Sequence, residues 1–132
     1  MPTTPPLQTQ ICETHITMTQ LKNRSLFKTQ AYINGQWANA ASNNEFEVTN
    51  PYNNEHLANV PDMDGIDTKK AIDAANEAFK SWKKVPAGQR SKILRKWYEL
   101  QLENTDDLAR IITLEQGKPL AEAKGEIMYG AS

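Results

Sequence analysis

Leu114-Glu115-Gln116-Gly117-Lys118-Pro119-Leu120-Ala121-Glu122-Ala123-Lys124-Gly125-Glu126-Ile127 holds the end of one helix and the start of another. Gly117 suits the left-handed position just past a helix C-terminus, where a Cβ would be strained. Pro119 suits the first turn of the next helix, because its φ is already helical and its missing N–H is no loss there. Beyond it Leu120, Ala123, Ile127 and Ala131 recur at spacings of 3, 4 and 4, one stripe of a helix. Gly125 and Gly130 sit inside that helix, where each costs about 1 kcal/mol relative to alanine. Such glycines make sense if a second backbone packs closely against them. No stop signal follows Tyr129, so the structural unit is expected to continue past what this chain supplies.

Upstream, the period stays helical. Leu108, Ile111 and Ile112 form one apolar face. Its helix is expected to be capped by Asn104 or Thr105, with Asp106 and Asp107 at the positive end of the dipole. Ile93, Trp97 and Leu100, widened by Leu94 and Tyr98, mark another helix, started by Val85-Pro86-Ala87-Gly88. Ile72, Ala75, Phe79 and Trp82 mark the first, with Asp64 or Asp67 as its cap and lysines on its other faces. Four helices are therefore predicted. Phe79, Trp82, Trp97 and Tyr98 are expected in the core, since their helical spacing suits packing better than an aromatic binding platform.

Before residue 64 the pattern turns to strands. Asn34-Gly35 lies between two β-prone pairs, Tyr32-Ile33 and Gln36-Trp37. Asn-Gly accepts φ > 0 at both central positions, as a type I′ hairpin turn requires. Glu45–Thr49 alternates polar and apolar and ends at Asn50-Pro51, and residues 57–60 form a further short strand. A small meander of three or four strands is expected here. Residues 1–20, rich in Pro, Thr and Gln at their start, are expected to be a disordered tail. Met18 could itself be a translation start.

Composition narrows the function classes. The chain has 132 residues, with 15 Lys plus Arg against 16 Asp plus Glu. That balance gives no field to attract nucleic acid or an anionic membrane. The basic stretch from Lys80 to Lys96 is followed at once by an acidic one, so no nucleic-acid partner is expected. No apolar run approaches the ~18 residues of a membrane-spanning helix, so no membrane partner is expected either. The single cysteine, Cys12, lies in the tail with His15. Neither has the ordered, electropositive setting of a reactive group. His56 sits alone in a loop. The six glycines make neither G-x-G-x-x-G nor a phosphate loop. Glu122 and Glu126 lie four apart on a helix, with Lys118 four before Glu122, which suits a solvated charged face better than an acid–base pair. No catalytic and no cofactor-binding residue is identified.

The order of motifs carries more. Tyr32-Ile33-Asn34-Gly35-Gln36-Trp37 is followed by Val48-Thr49-Asn50-Pro51, then Ala71-Ile72-Asp73-Ala74-Ala75 and Trp82. Gln89-Arg90, Ile93-Leu94 and Trp97 come next, then the Leu114–Ile127 run. Over residues 21–132 this resembles the N-terminal segment of the NAD(P)-dependent aldehyde dehydrogenases, most of all the bacterial succinate-semialdehyde dehydrogenases. The resemblance implies an α/β fold: a β-hairpin or meander, then four α-helices, together an incomplete N-terminal part of a cofactor-binding domain. It implies an enzyme that oxidises an aldehyde, with succinate semialdehyde the expected one, to its acid. A cysteine thiolate attacks the carbonyl, hydride leaves for NAD or NADP, and an activated water hydrolyses the thioester.

The family's cysteine, general-base glutamate and cofactor-binding strands have no counterpart in this chain. It is therefore expected to be inactive alone and to bind no cofactor alone. The resemblance also implies a structural monovalent-cation site, made by the backbone carbonyls of Val48 and Thr49 and the carboxylate of Glu115. Carbonyls and a carboxylate are hard oxygen ligands suited to such an ion. Small-molecule aldehyde is the expected partner of the complete enzyme, with association to full-length homologous subunits and a cytoplasmic location. A non-catalytic interaction module and a poorly folded gene remnant are the alternatives.

Overall fold

A computed structural model describes residues 16–132; the part of the expected tail that falls on residues 1–15, with Cys12 and His15, lies outside them. Met18–Gln20 and Arg24–Leu26 are short 3-10 turns. Four strands follow, β1 Ala31–Ile33, β2 Gln36–Ala38, β3 Glu45–Thr49 and β4 His56–Pro61. Then come α1 Gly65–Trp82, α2 Ala87–Glu103, α3 Thr105–Gln116 and α4 Leu120–Ala131.

The hairpin forms where Asn-Gly predicts it. Tyr32 pairs with Trp37 and Ile33 with Gln36, and the turn residues Asn34 and Gly35 have φ of 52° and 78°. The single meander does not form. β1–β2 and β3–β4 are two separate antiparallel ribbons. Between them the chain turns at Ala40, which is buried and accepts from the Asn43 N–H. The next N–H, of Ala41, is taken by the Asp67 carboxylate on α1, so it is spent on a helix start rather than on a ladder. β3–β4 carries a bulge between Val48 and Thr49.

Each helix starts as local chemistry dictates, with two exceptions. Asp64 caps α1 by accepting from the N–H groups of Ile66 and Asp67. Pro86 opens α2 without a side-chain cap, its carbonyl taking the Gln89 and Arg90 N–H groups. Neither Asn104 nor Thr105 caps α3 through its side chain. Both instead donate backward to carbonyls of α2, at Leu100 for Asn104 and at Gln101 and Leu102 for Thr105. Pro119 precedes the fourth helix as its N-cap rather than lying in its first turn.

The core sits on the α3–α4 seam. Ala109 and Leu114 of α3 and Ala123 of α4 are buried, the two helices pack on each other, and α4 also packs on α2. The small side chains at 109 and 123 let the two helices approach closely. Leu108, Ile111, Ile112, Leu120 and Ile127 surround them half-buried. Outside this seam the expected packing fails. On α1, Ile72 is 61% and Phe79 55% exposed; on α2, Trp97 is 63% exposed, with Ile93 and Leu94 similarly open. Trp82 is exposed too, and only Tyr98 of the expected aromatic core is half-buried. On α1 the half-buried positions are Ala71 and Ala74, which with Ala75 and Ala78 line an open groove facing the β1–β2 turn. The periodicity is real, but among the described residues nothing covers those stripes.

Candidate functional site

The residues expected to hold a cation lie at two element ends. Val48 and Thr49 are half-buried at the close of β3. The bulge shifts the pairing from Val48–Ala58 to Thr49–His56, which bends the strand and re-aims its backbone groups locally. Asn50 follows, buried, its Oδ1 accepting from the Tyr52 N–H and its own N–H donating to the Glu55 carbonyl. Glu115 is the next-to-last residue of α3. Gly117 terminates that helix with φ 76°, and a Cβ there would stand 3.2 Å from Cγ of Pro51. The α3 end and the turn after β3 thus lie close together; the dihedral favours glycine, and a Cβ would make Pro51 give by a few tenths of an ångström.

Glu115 has no ion pair or side-chain hydrogen bond among the described residues. Desolvation pushes its carboxyl above the usual carboxylate value. Its surface is still open to solvent, so the desolvation is that of a group beside a packed junction and not of a sealed interior. A carboxylate and backbone carbonyls are the donor chemistry of a hard cation. A transition-metal cluster is not assembled: no three His, Cys, Asp or Glu side chains converge among the described residues.

The other titratable candidates are structural. His56 opens β4 and places Nε2 3.0 Å from Asn59 Oδ1. Glu122 is exposed, and Lys118 pairs with Glu126 rather than with Glu122. Lys118 precedes Pro119, outside the helix, so the i,i+4 relationship does not hold for it. Lys124 crosses to Asp106 on α3 at 2.6 Å.

Two carboxylates carry more than the sequence suggests. Asp67 accepts from the Ala41 N–H at 3.0 Å and from Lys70 Nζ at 3.1 Å. Asp107 accepts from the N–H groups of Asn23 at 2.8 Å and Lys22 at 3.1 Å. The backbone N–H of Ala41, then Lys70, holds Asp67 below its ordinary value. The Asn23 N–H does the same for Asp107, against a smaller cost of burial. Both remain ionised braces, not proton carriers.

A family model described as the aldehyde dehydrogenase family matches residues 37–132. Glutarate-semialdehyde dehydrogenase of Pseudomonas putida is 53% identical over 113 residues, covering 86% of this chain and 24% of that protein. The NADP-dependent succinate-semialdehyde dehydrogenase of Escherichia coli is 52% identical, covering 86% and 23%. The crystal structure of succinate-semialdehyde dehydrogenase from Burkholderia pseudomallei superposes with a TM-score of 0.83 at 50% identity, over 86% of this chain and 23% of that one. The chain spans about a quarter of the length of the curated relatives it matches, in their N-terminal part. Strands, helices and sequence agree across that stretch, and this chain belongs to the aldehyde dehydrogenase family.

Proposed function

We propose that this chain is the N-terminal portion of the cofactor-binding domain of an NAD(P)-dependent semialdehyde dehydrogenase, and that residues 21–132 supply framework rather than chemistry. The observation that supports this is the exposure of the apolar faces of α1 and α2 in a chain similar to one quarter of much longer enzymes. Faces of that size are normally covered. The complete enzyme oxidises an aldehyde to its acid, with NAD or NADP as hydride acceptor. No glycine-rich phosphate turn is present among the described residues, so no cofactor contact is assigned to this chain. Succinate semialdehyde is the favoured substrate. The relatives named for succinate and glutarate semialdehyde are about equally similar here, so this stretch does not separate acids that differ by one methylene. The exposed faces suit association with full-length homologous subunits in the cytoplasm.

The same reading gives Val48, Thr49 and Glu115 a monovalent cation that ties the end of β3 to the end of α3. Support comes from the bulge, from the close approach of Pro51 and Gly117, and from the unpaired, desolvated carboxylate of Glu115.

The chain alone, given succinate semialdehyde with NAD⁺ or NADP⁺, is expected to reduce neither; robust reduction would overturn the reading. A chimera carrying residues 37–132 in place of the equivalent part of the Escherichia coli relative is expected to retain that relative's activity. A chimera that folds but does not oxidise the aldehyde would count against the framework role.

A further inference from the structure

Residues 17–27 make no long helix and no ladder. They form two 3-10 turns whose backbone bonds are local, from Gln20 N–H to Thr17, Leu21 N–H to Met18, Leu26 N–H to Asn23 and Phe27 N–H to Arg24. Leu21 is buried between the turns, while Lys22, Asn23, Arg24 and Ser25 are exposed. The stretch is tied to the helices through Asp107, which receives the consecutive N–H groups of Lys22 and Asn23, one on each carboxylate oxygen. A solvent-open cleft of about 160 Å³ is lined by Lys22, Asn23, Glu103, Asn104, Asp106 and Asp107. On the polar side of the stretch the contact is thus one charge-assisted pair of hydrogen bonds beside open solvent.

Asp107 also has a second partner. Arg110 Nη1 lies 3.4 Å from Oδ1, one turn along the same helix, while Lys124 of α4 is engaged by Asp106. Removal of the two N–H groups leaves the carboxylate facing a guanidinium and water, so it is not stranded as an unpaired charge. Leu21, 6% exposed, is the buried apolar side chain of the stretch, and Met18, Leu26 and Phe27 are half-buried.

We propose that residues 17–27 are a detachable strap that lifts from α3 as a unit, with Asp107 as its latch and Arg110 as the partner that holds the carboxylate while the strap is off. Lifting uncovers the acidic first turn of α3 and leaves the α3–α4 seam intact. Local openings of this kind belong to segments with few buried apolar contacts.

Amide hydrogen exchange on the whole chain tests this. The Lys22 and Asn23 amides are expected to exchange by an opening with a common, weaker denaturant dependence than that of the seam, at least about tenfold faster than Ala109, Leu114 and Ala123. Asp107→Ala is expected to speed Lys22 and Asn23 by a further factor of about ten or more, to raise tryptic cleavage after Lys22 and Arg24, and to leave the seam amides in place. Asp107→Asn, which keeps one acceptor, is expected to fall between. If Asp107→Ala accelerates strap and seam together, Asp107 is a global support and the proposal fails. If the variant does not fold, the wild-type series decides: strap amides with the seam's rate and denaturant dependence overturn the proposal.

Discussion

Asp67 Oδ2, in the first turn of α1, takes the backbone N–H of Ala41 at 3.0 Å, 26 positions earlier in the chain. The bond fixes the crossing between the two β-ribbons to the start of the helix that follows them. Asp107 does the same for the start of the described chain. The pH consequence has a definite sign. Both carboxyls titrate below their ordinary value of 3.8 in the folded chain, so their contribution is complete above that value. It is lost as pH falls through 3.8 toward the lowered folded values. For Asp67, which ties the ribbons to α1, the thermal midpoint is expected to hold steady from neutral pH to about one unit above 3.8 and to drop below it. Acid loss at Asp107 is expected to show in the exchange of Lys22 and Asn23 and not in the midpoint. Asp67→Asn is expected to lower the midpoint at neutral pH and to flatten the acid slope. An unchanged slope in that variant would show that the bond to Ala41 is not what acid breaks.

Glu115 has the opposite sign. Its folded pKa is raised above 4.5 by desolvation, so ionising it costs stability as pH rises through the folded value. The group is exposed, and solvent screening keeps the cost small. Glu115→Gln is expected to leave the chain equal or more stable at neutral pH by no more than about 0.5 kcal/mol. If the carbonyls of Val48 and Thr49 share a cation with it, potassium or sodium raises the wild-type midpoint and leaves that of Glu115→Gln unmoved. A series at constant ionic strength, with a bulky organic cation as the control, checks this.

Gly117 and Gly125 separate two uses of glycine. Gly117 has φ 76° and a Cβ there would meet Pro51 at 3.2 Å, so Gly117→Ala is expected to cost about 1–3 kcal/mol. Gly125 lies in α4, where a Cβ would find nothing within 4 Å. Gly125→Ala is therefore expected to stabilise this chain by up to about 1 kcal/mol through helix propensity. Urea denaturation of the two variants reads both signs. A stabilising Gly117→Ala would mean that the α3 end does not lie close to the turn after β3.

What is legible in the sequence follows the range of the interaction. Asn34-Gly35 and Gly117 declare themselves because a positive φ is a local demand that few residues meet. The four helices declare themselves through spacing. The partners of their apolar faces do not, because periodicity shows which side is greasy and not what lies against it. Spacing thus predicts Ile72 and Trp97 inside, yet they stand outside, while Ala71 and Ala74 are the half-buried positions along α1. Asp67 and Asp107 are visible only as first-turn acids. Asp67 draws its N–H donor from Ala41, and Asp107 from Lys22 and Asn23, and no local pattern links an acid to a donor 84 or 85 positions away. Lys118 departs from its expected place for a simpler reason, since helical spacing does not carry across Pro119. The set Val48, Thr49 and Glu115 rests on the family resemblance alone; the bulge and the junction at Pro51 have no signature in spacing.

Leu114 and Trp97 make the clearest test of which apolar groups hold this chain together. Leu114, on α3, is 1% exposed. Truncating it removes transfer energy and leaves a cavity, so Leu114→Ala is expected to cost about 2–4 kcal/mol. Trp97 is the larger side chain, yet it already faces solvent, and Trp97→Ala is expected to change stability by about 0.5 kcal/mol or less. Its loss is expected instead to weaken binding of an apolar dye, and quenching by acrylamide is expected to reach the exposed Trp37, Trp82 and Trp97 in the chain alone. Association with a full-length relative through the α1 and α2 faces would shield Trp82 and Trp97, and Trp97→Ala would weaken that association. Equal stability losses at 114 and 97, with tryptophans closed to quencher in the isolated chain, would mean that those faces find cover within the chain itself.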